Sequence, residues 1–204
     1  MATAGPKFAA DASPHERLVA VGKHLFSALG YENTSTSLIA REAKTSESQL
    51  IKHFGSKEGL LEAIFESGWA KLRMQLATLQ TLSSSRKQLQ MLLRMVVQLF
   101  NEDHELRDLM LLEGRRIRRE GKMIMLTASY TDFVAFVDRL VESAQQEGGA
   151  QYPPQLIRSS LIGTFEGLLR DSVLHERYGY SAEYTIAEAE QFVFELVDRL
   201  LAPA

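Results

Sequence analysis

The chain has 204 residues, 45% hydrophobic and 24% charged, with a net charge of −3. That is the mix of a globular protein able to bury a core, in one domain or in a small domain joined to a larger one, and it excludes a polybasic nucleic-acid coat. The absence of cysteine excludes disulfide frameworks, cysteine-built zinc sites, iron–sulfur clusters and thiol catalysis. The N-terminal stretch MATAGPKFAADASP has no apolar segment of a secretory signal. No run reaches the roughly 18–20 apolar residues of a membrane span. The expectation is a cytoplasmic protein with no membrane partner.

Proline placement sets the fold class. Between His15 and Tyr152 there is none, and proline inside a helix costs about 3 kcal/mol, so this stretch permits long helices. Period-two alternation and hairpin dipeptides such as Asn-Gly are missing. The chain reads as all-α. Residues 1–14, small, polar and proline-flanked, read as a disordered tail. Pro14 then opens a helix whose buried stripe is Leu18, Val21, Leu25 and Leu29 with Phe26 beside it, ending at Gly30. A short second helix follows the capping cluster Thr34-Ser35-Thr36. A third starts at Ser46, where Ser46-Glu47-Ser48-Gln49 has the form of a capping box; Leu50 and Phe54 are its inward positions. Ser56 can cap a fourth helix spanning about 57–82. Further helices are predicted near 84–101, 104–119, 127–147, 154–176 and 185–201.

Two short helices joined by Ala43-Lys44-Thr45 form a helix-turn-helix candidate, whose second helix enters the major groove with its N-terminal residues first. The residues it would present are Glu47, Ser48, Gln49, Lys52 and His53. Gln49 suits adenine, Lys52 guanine or phosphate, and Glu47 the amino group of cytosine. Lys57, beside a helix N-terminus, suits a phosphate oxygen, and Thr36 and Ser37 at the start of the second helix can do the same.

The stretch from Leu25-Phe26-x-x-x-Gly30-Tyr31 through Thr34-Ser35, Ile39-Ala40-x-x-Ala43 and Ser46 to Leu50-x-x-His53-Phe54-x-Ser56-Lys57-x-x-Leu60-Leu61 resembles the DNA-binding domain of the tetracycline-repressor (TetR) family. Order and spacing hold over residues 16–61 without a gap. The resemblance implies a homodimeric transcriptional regulator, usually a repressor, released from DNA by a small ligand. Two positions depart from the family pattern. Lys44 stands where the turn usually has glycine, at a cost of roughly 1 kcal/mol if that site is left-handed. Ile51 stands where the third helix usually carries an aromatic. His53 matches an aromatic-or-histidine position and is a possible phosphate donor.

The remaining chain carries no specific motif, but its last two predicted helices read as an interface. Leu161, Leu168 and their apolar neighbours cover more than one face of the 154–176 helix, and Gly163 and Gly167 allow another helix to approach. Phe192, Val193, Leu196, Val197 and Leu200 give the last helix a broad apolar stripe. A helix apolar over that breadth is buried on two sides, one against its own subunit and one against a two-fold mate. Met91, Met95 and Met110, with Trp69, Phe100, Phe133, Phe136 and Phe165, are candidates for an adaptable ligand pocket, ordinary core being the plain alternative. Arg115-Arg116-x-Arg118-Arg119 with Lys122 reads as a solvated helix end or as a contact to DNA or an acidic partner.

His104-Glu105-x-x-Asp108 imitates a metalloprotease helix but lacks its second histidine, and neither a Gly-x-Ser-x-Gly nor a P-loop is present. No enzyme, metal or cofactor is expected. The reading is therefore an all-α chain with a tail over 1–14, a three-helix DNA-binding domain over 15–61 and a regulatory, dimerising and ligand-binding domain over 62–204. Its partners would be double-stranded operator DNA, a second copy of itself and a small-molecule effector. The competing reading is a helical ligand-binding or scaffolding protein with a vestigial DNA-binding head. Lys44, Glu47 and the modest local charge speak for it.

Overall fold

The computed structural model describes residues 11–118, 120–148, 152–181 and 184–202. Its elements are α1 Pro14–Leu29, α2 Thr36–Glu42, α3 Glu47–Phe54, α4 Lys57–Gln75, α5 Ser85–Glu102, α6 His104–Glu113, α7 Ala128–Gln146, α8 Pro154–Tyr178 and α9 Ile186–Leu200, with a 3-10 segment at Leu76–Thr81. The all-α expectation holds. Residues 1–10 of the predicted tail lie outside the described residues, and Pro14 is already the first residue of α1.

Two compact units form. One joins the described residues up to Trp69 with Asp103–Ala128; the other joins Ala70–Glu102 with the described residues from Ser129 onward. In the first, α1 packs on α2, α3 and α6. Ser13 caps α1 in a full capping box: its hydroxyl accepts from the Glu16 amide at 3.2 Å, while the Glu16 carboxylate accepts from the Ser13 amide at 2.8 Å. The stripe of α1 is turned slightly from expectation. Leu18, Val21 and Phe26 are buried, Leu25 is half-buried, and Leu29 is 47% exposed. An i, i+4 row drifts around a helix with 3.6 residues per turn, so its last member leaves the face that its first member buries. Gly22 brings α4 close: a Cβ there would lie 2.8 Å from Leu60 Cδ2.

Ser35 caps α2 by accepting from the Leu38 amide at 3.1 Å. Thr34 is fully buried and spends its hydroxyl on the Gly30 carbonyl at 2.8 Å. Ser46 caps α3 at the Gln49 amide, 3.3 Å, but the expected return from the Gln49 side chain is not among the bonds found there. Ser46 instead shares a 2.8 Å hydroxyl contact with Ser48.

Helices predicted over 57–82 and 104–119 end early, at Gln75 and Glu113. After Glu113 the chain makes a small hairpin-like turn, with an antiparallel bridge between Ile117 and Met123 and the Arg118 amide donating to Lys122 O at 2.7 Å. The basic run is therefore no helix end. Arg116 pairs with Glu113 and, at 2.7 Å, with Glu32; Arg118 pairs with Glu62 at 2.8 Å. Arg119 lies outside the described residues.

In the second unit α9 packs on α5 and α8. The core is made by Leu89, Leu92, Val96 and Phe100 of α5, Phe133, Val137 and Val141 of α7, Leu161 and Phe165 of α8, and Val193 and Val197 of α9. Glu147 accepts from the Ser85 amide at 2.9 Å and ties the start of α5 to the end of α7.

Three carboxylates lie below their ordinary range for the same reason. Backbone amides, of Ser13 for Glu16, Ser85 for Glu147 and Thr185 for Glu188, donate to the ionised form. A carboxylate lowered in the native state stabilises the fold fully above its unfolded value near 4.5 and loses that contribution as pH falls through the lowered native value. In urea titrations from pH 7 to pH 3, the variant Glu16→Gln/Glu147→Gln/Glu188→Gln is expected to be less stable than wild type at pH 7. It should also lose less stability on acidification. Equal slopes for the two proteins would contradict the assignment.

Candidate nucleic-acid interface

α3 buries little of its own surface. Its one buried residue is Leu50, at 0% exposure, whereas Glu47, Ser48, Lys52 and His53 are exposed and Gln49 half-exposed. The turn before it is clamped from α1: the Arg17 guanidinium donates to the Ala43 carbonyl at 3.0 Å and to Ala12 O at 2.7 Å. Thr36, at the first turn of α2, donates its hydroxyl to the Glu47 carboxylate and so links the two helix starts. Ser37 is exposed and shares a 3.1 Å hydroxyl contact with the capping Ser35. At the far end of α3 the rings of His53 and Phe54 pack against His15, with centroids 5.6 and 4.8 Å away. Thr36, Ser37, Glu47, Ser48, Gln49, Lys52 and His53 thus gather on α3 and the start of α2.

Lys57 stands apart from that group. Its ammonium donates to Tyr31 O at 2.9 Å and Thr34 O at 3.1 Å, and lies 4.3 Å from the centroid of the Tyr31 ring. The Arg116 guanidinium lies 4.4 Å from the same centroid. A lysine has three N–H donors, and two of them serve the α1–α2 turn. Tyr31 stands in the pattern quoted above and Arg116 in the basic run, but the part that they and Arg17 play in this scaffold is not legible there, because the partners concerned are 26 to 84 residues away.

Lys44 has φ +53°, the one non-glycine with positive φ among the described residues. The departure from glycine is therefore a real strain. Lys44→Gly is expected to raise stability by about 0.5–1 kcal/mol, since glycine takes this region without a Cβ clash. Thermal or urea unfolding checks it, and a variant no more stable than wild type would refute it.

The candidate pocket residues are divided between the two units. Trp69 and Met110 fall in the first unit; the other six fall in the second. Met91 is 38% exposed, on the α5 face opposite buried Leu89, Leu92 and Leu93, so it lines no interior. Met95 and Phe136 are half-buried, Phe133 is buried, and Phe100 packs on Phe165 with centroids 5.8 Å apart. Phe165 lines a cleft of about 220 Å³ between α5, α8 and α9. The other residues of that cleft were missed, because its walls come from three helices distant in sequence. Of the predicted interface residues, Leu161, Val193 and Val197 face the core of their own unit and are not available to a partner. Leu168, Leu196 and Leu200 are half-buried, as is Gly167, while Gly163 and Phe192 are exposed.

The trihelical head, with α2 and α3 joined by a tight turn, has the arrangement of a helix-turn-helix unit. Residues 18–64 match the family model described as bacterial regulatory proteins, tetR family, the same stretch as the resemblance over residues 16–61. It is 24% identical over 155 residues to the A-factor receptor protein of Streptomyces griseus. That match takes in 74% of this chain and 52% of the relative, so the chain spans about half the length of that protein. Its fold is similar to the transcriptional regulator FadR from Bacillus subtilis, solved with stearoyl-CoA, at a TM-score of 0.78 and 17% identity, covering 89% of this chain and 96% of that one. AibR, solved with isovaleryl coenzyme A and operator DNA, is similar at a TM-score of 0.69 and 21% identity, covering 94% and 100%. Among the described residues no helix is long and apolar enough to cross a membrane, and no cluster of metal-binding side chains occurs.

Proposed function

We propose that this chain is a ligand-responsive transcriptional regulator that binds a palindromic operator as a homodimer and is released by a small-molecule effector. Residues 15–61 would read DNA; residues 62–204 would dimerise and hold the effector. The location that follows is cytoplasmic, and no catalytic step is assigned. The observation that carries the reading is α3. A helix with Leu50 as its one fully buried residue contributes little to the core, yet its start holds an ordered group of polar side chains. Such a face serves a partner better than it serves stability. Glu47, tied to Thr36, is held ready to accept from cytosine, and Gln49 and Lys52 keep the roles given above.

Dimerisation is supported by apolar surface on the last two helices. Leu156 is 56% and Phe192 54% exposed, and a Cβ built on Gly163 meets nothing within 4 Å. These residues replace Leu161, Val193 and Val197 as the proposed contact to a second copy. The relatives named for A-factor, stearoyl-CoA and isovaleryl coenzyme A support an organic effector of small to moderate size. Its influence on operator affinity can be no larger than its preference between the two states of the protein.

Selection of bound duplexes from a random pool at two salt concentrations tests the reading. A palindromic consensus is expected, with affinity falling steeply as salt rises because bound counterions are released. Gln49→Ala should alter the preference at one base position. Lys52→Ala should weaken all sequences alike, and lower the salt slope by about one, if that lysine meets phosphate. No enrichment from folded protein at either salt would favour the vestigial-head reading instead.

A further inference from the structure

The α1–α2 turn is held from two directions. From α4, the Lys57 ammonium donates to Tyr31 O at 2.9 Å and to Thr34 O at 3.1 Å. From the hairpin-like turn after α6, the Arg116 guanidinium lies 4.4 Å from the centroid of the Tyr31 ring, against 4.3 Å for the Lys57 ammonium. The ring is buried and also packs on Phe26, with centroids 5.1 Å apart. Burial first, and the Glu58 charge after it, push the Tyr31 phenol above its ordinary value. The ring is therefore neutral at pH 7 and offers an electron-rich face to a cation. Arg116 is itself fixed. Glu113 and Glu32 accept from its guanidinium, and its carbonyl accepts from the amide of buried Ile124 at 2.9 Å. Two residues on, Arg118 pairs with Glu62 of α4 at 2.8 Å. A planar guanidinium can lie on a ring while its edges reach two carboxylates, which a lysine ammonium cannot do.

The turn leads straight to the polar face of α3. The Thr34 amide donates to Tyr31 O at 3.3 Å. The next residue, Ser35, caps α2. The residue after that, Thr36, donates to Glu47, the first residue of α3. From these contacts we infer that Arg116, which lies outside residues 15–61, is a positioning residue for operator binding. Its grip on Tyr31 and Glu32 sets the α1–α2 turn, and through it the start of α2 and the Thr36–Glu47 link. The segment after α6 then works as part of the DNA-reading head, with which it shares a compact unit, and not with the effector-binding region. The DNA step rests on the regulator reading above; the ordering of the turn does not.

Arg116→Gln, Arg116→Lys, Lys57→Gln and the double variant Arg116→Gln/Lys57→Gln test this in the full chain. The selected consensus duplex and an unrelated duplex are titrated at a temperature where melting curves show each variant folded, and the active fraction is counted separately by stoichiometric titration. Arg116→Gln is expected to raise Kd by about tenfold for both duplexes, with the active fraction of wild type. A residue that only stabilises the fold would lower the active fraction and leave Kd alone. Arg116→Lys, which keeps a cation beside Tyr31 and Glu32, should recover roughly threefold of that loss. The double variant should depart from the product of the two single losses by about threefold or more, because both grips act on one turn. Without DNA, amide hydrogen exchange over residues 31–36 should quicken by about tenfold in Arg116→Gln while exchange in α5 stays unchanged. A wild-type Kd in Arg116→Gln, a loss confined to the active fraction, a strictly multiplicative double variant, or unchanged exchange over residues 31–36 overturns the inference. Wild-type protein that selects no duplex refutes the regulator reading, and the DNA step with it; exchange then decides by itself whether Arg116 orders the turn. A wild-type consensus with indifferent variants refutes the role of Arg116 alone.

Discussion

Gly59→Ala is expected to unfold much of the N-terminal three-helix head. Gly59 sits in the first turn of α4, and a Cβ there would lie 2.0 Å from the Phe54 carbonyl oxygen and 3.1 Å from its carbon. Those atoms are backbone, so no rotamer change relieves the clash. Either the α3–α4 turn opens or the first turn of α4 shifts. Overpacking of a rigid site costs typically 1–3 kcal/mol and sometimes more, and because backbone must move we place this case at about 3 kcal/mol. Phe54 and Lys57 flank the turn, so the movement would also disturb the His15 contacts and the Lys57 bonds to Tyr31 and Thr34. Urea unfolding measures the loss, and operator affinity should fall with it. A variant within 1 kcal/mol of wild type would show that the turn is softer than its geometry implies.

Asp108→Ala is the second large effect, about 3–5 kcal/mol, the cost of leaving a buried charge without its counter-ion. Arg107 and Asp108 are neighbours on α6 and both buried, with side chains 2% and 9% exposed. The guanidinium donates to one carboxylate oxygen from Nε at 3.0 Å and from a terminal nitrogen at 2.9 Å. Both residues make further interactions, so part of the arginine's satisfaction survives and the lower end of the range is expected. The double variant Arg107→Met/Asp108→Leu should recover most of the loss, because removing both charges also removes both desolvation costs. A double-mutant cycle in urea decides it. If the double variant is as unstable as Asp108→Ala, then shape rather than charge governs the site.

Both predictions bear on what was legible beforehand. The helix-turn-helix unit was readable because its determinants are local. Ser35 and Ser46 cap within three residues, Leu50 marks the inner face, and the turn at Lys44 has a length that admits few conformations. The strained Lys44 was readable for the same reason. Starts and stops of most helices followed from proline, glycine and capping residues. By contrast, α6 is six residues shorter than the helix predicted over 104–119. Nothing local in Arg115–Lys122 announces that Arg116 and Arg118 will find Glu32 and Glu62, so a helix-compatible run becomes a hairpin held by distant carboxylates. Lys57 was read as a phosphate ligand, whereas two of its donors go to a turn 23 to 26 residues earlier.

The sequence by itself determined an all-helical chain and a three-helix head containing a helix-turn-helix, because helix period, capping and turn length act within a few residues and are written there. The tertiary structure alone decided which unit holds α6, which way Leu161, Val193 and Val197 face, and where a cleft opens. Those outcomes depend on which of several broadly apolar helix faces meet, and a broad face can be buried in more than one direction. Packing density and the pairing of charges far apart in the chain choose among those directions.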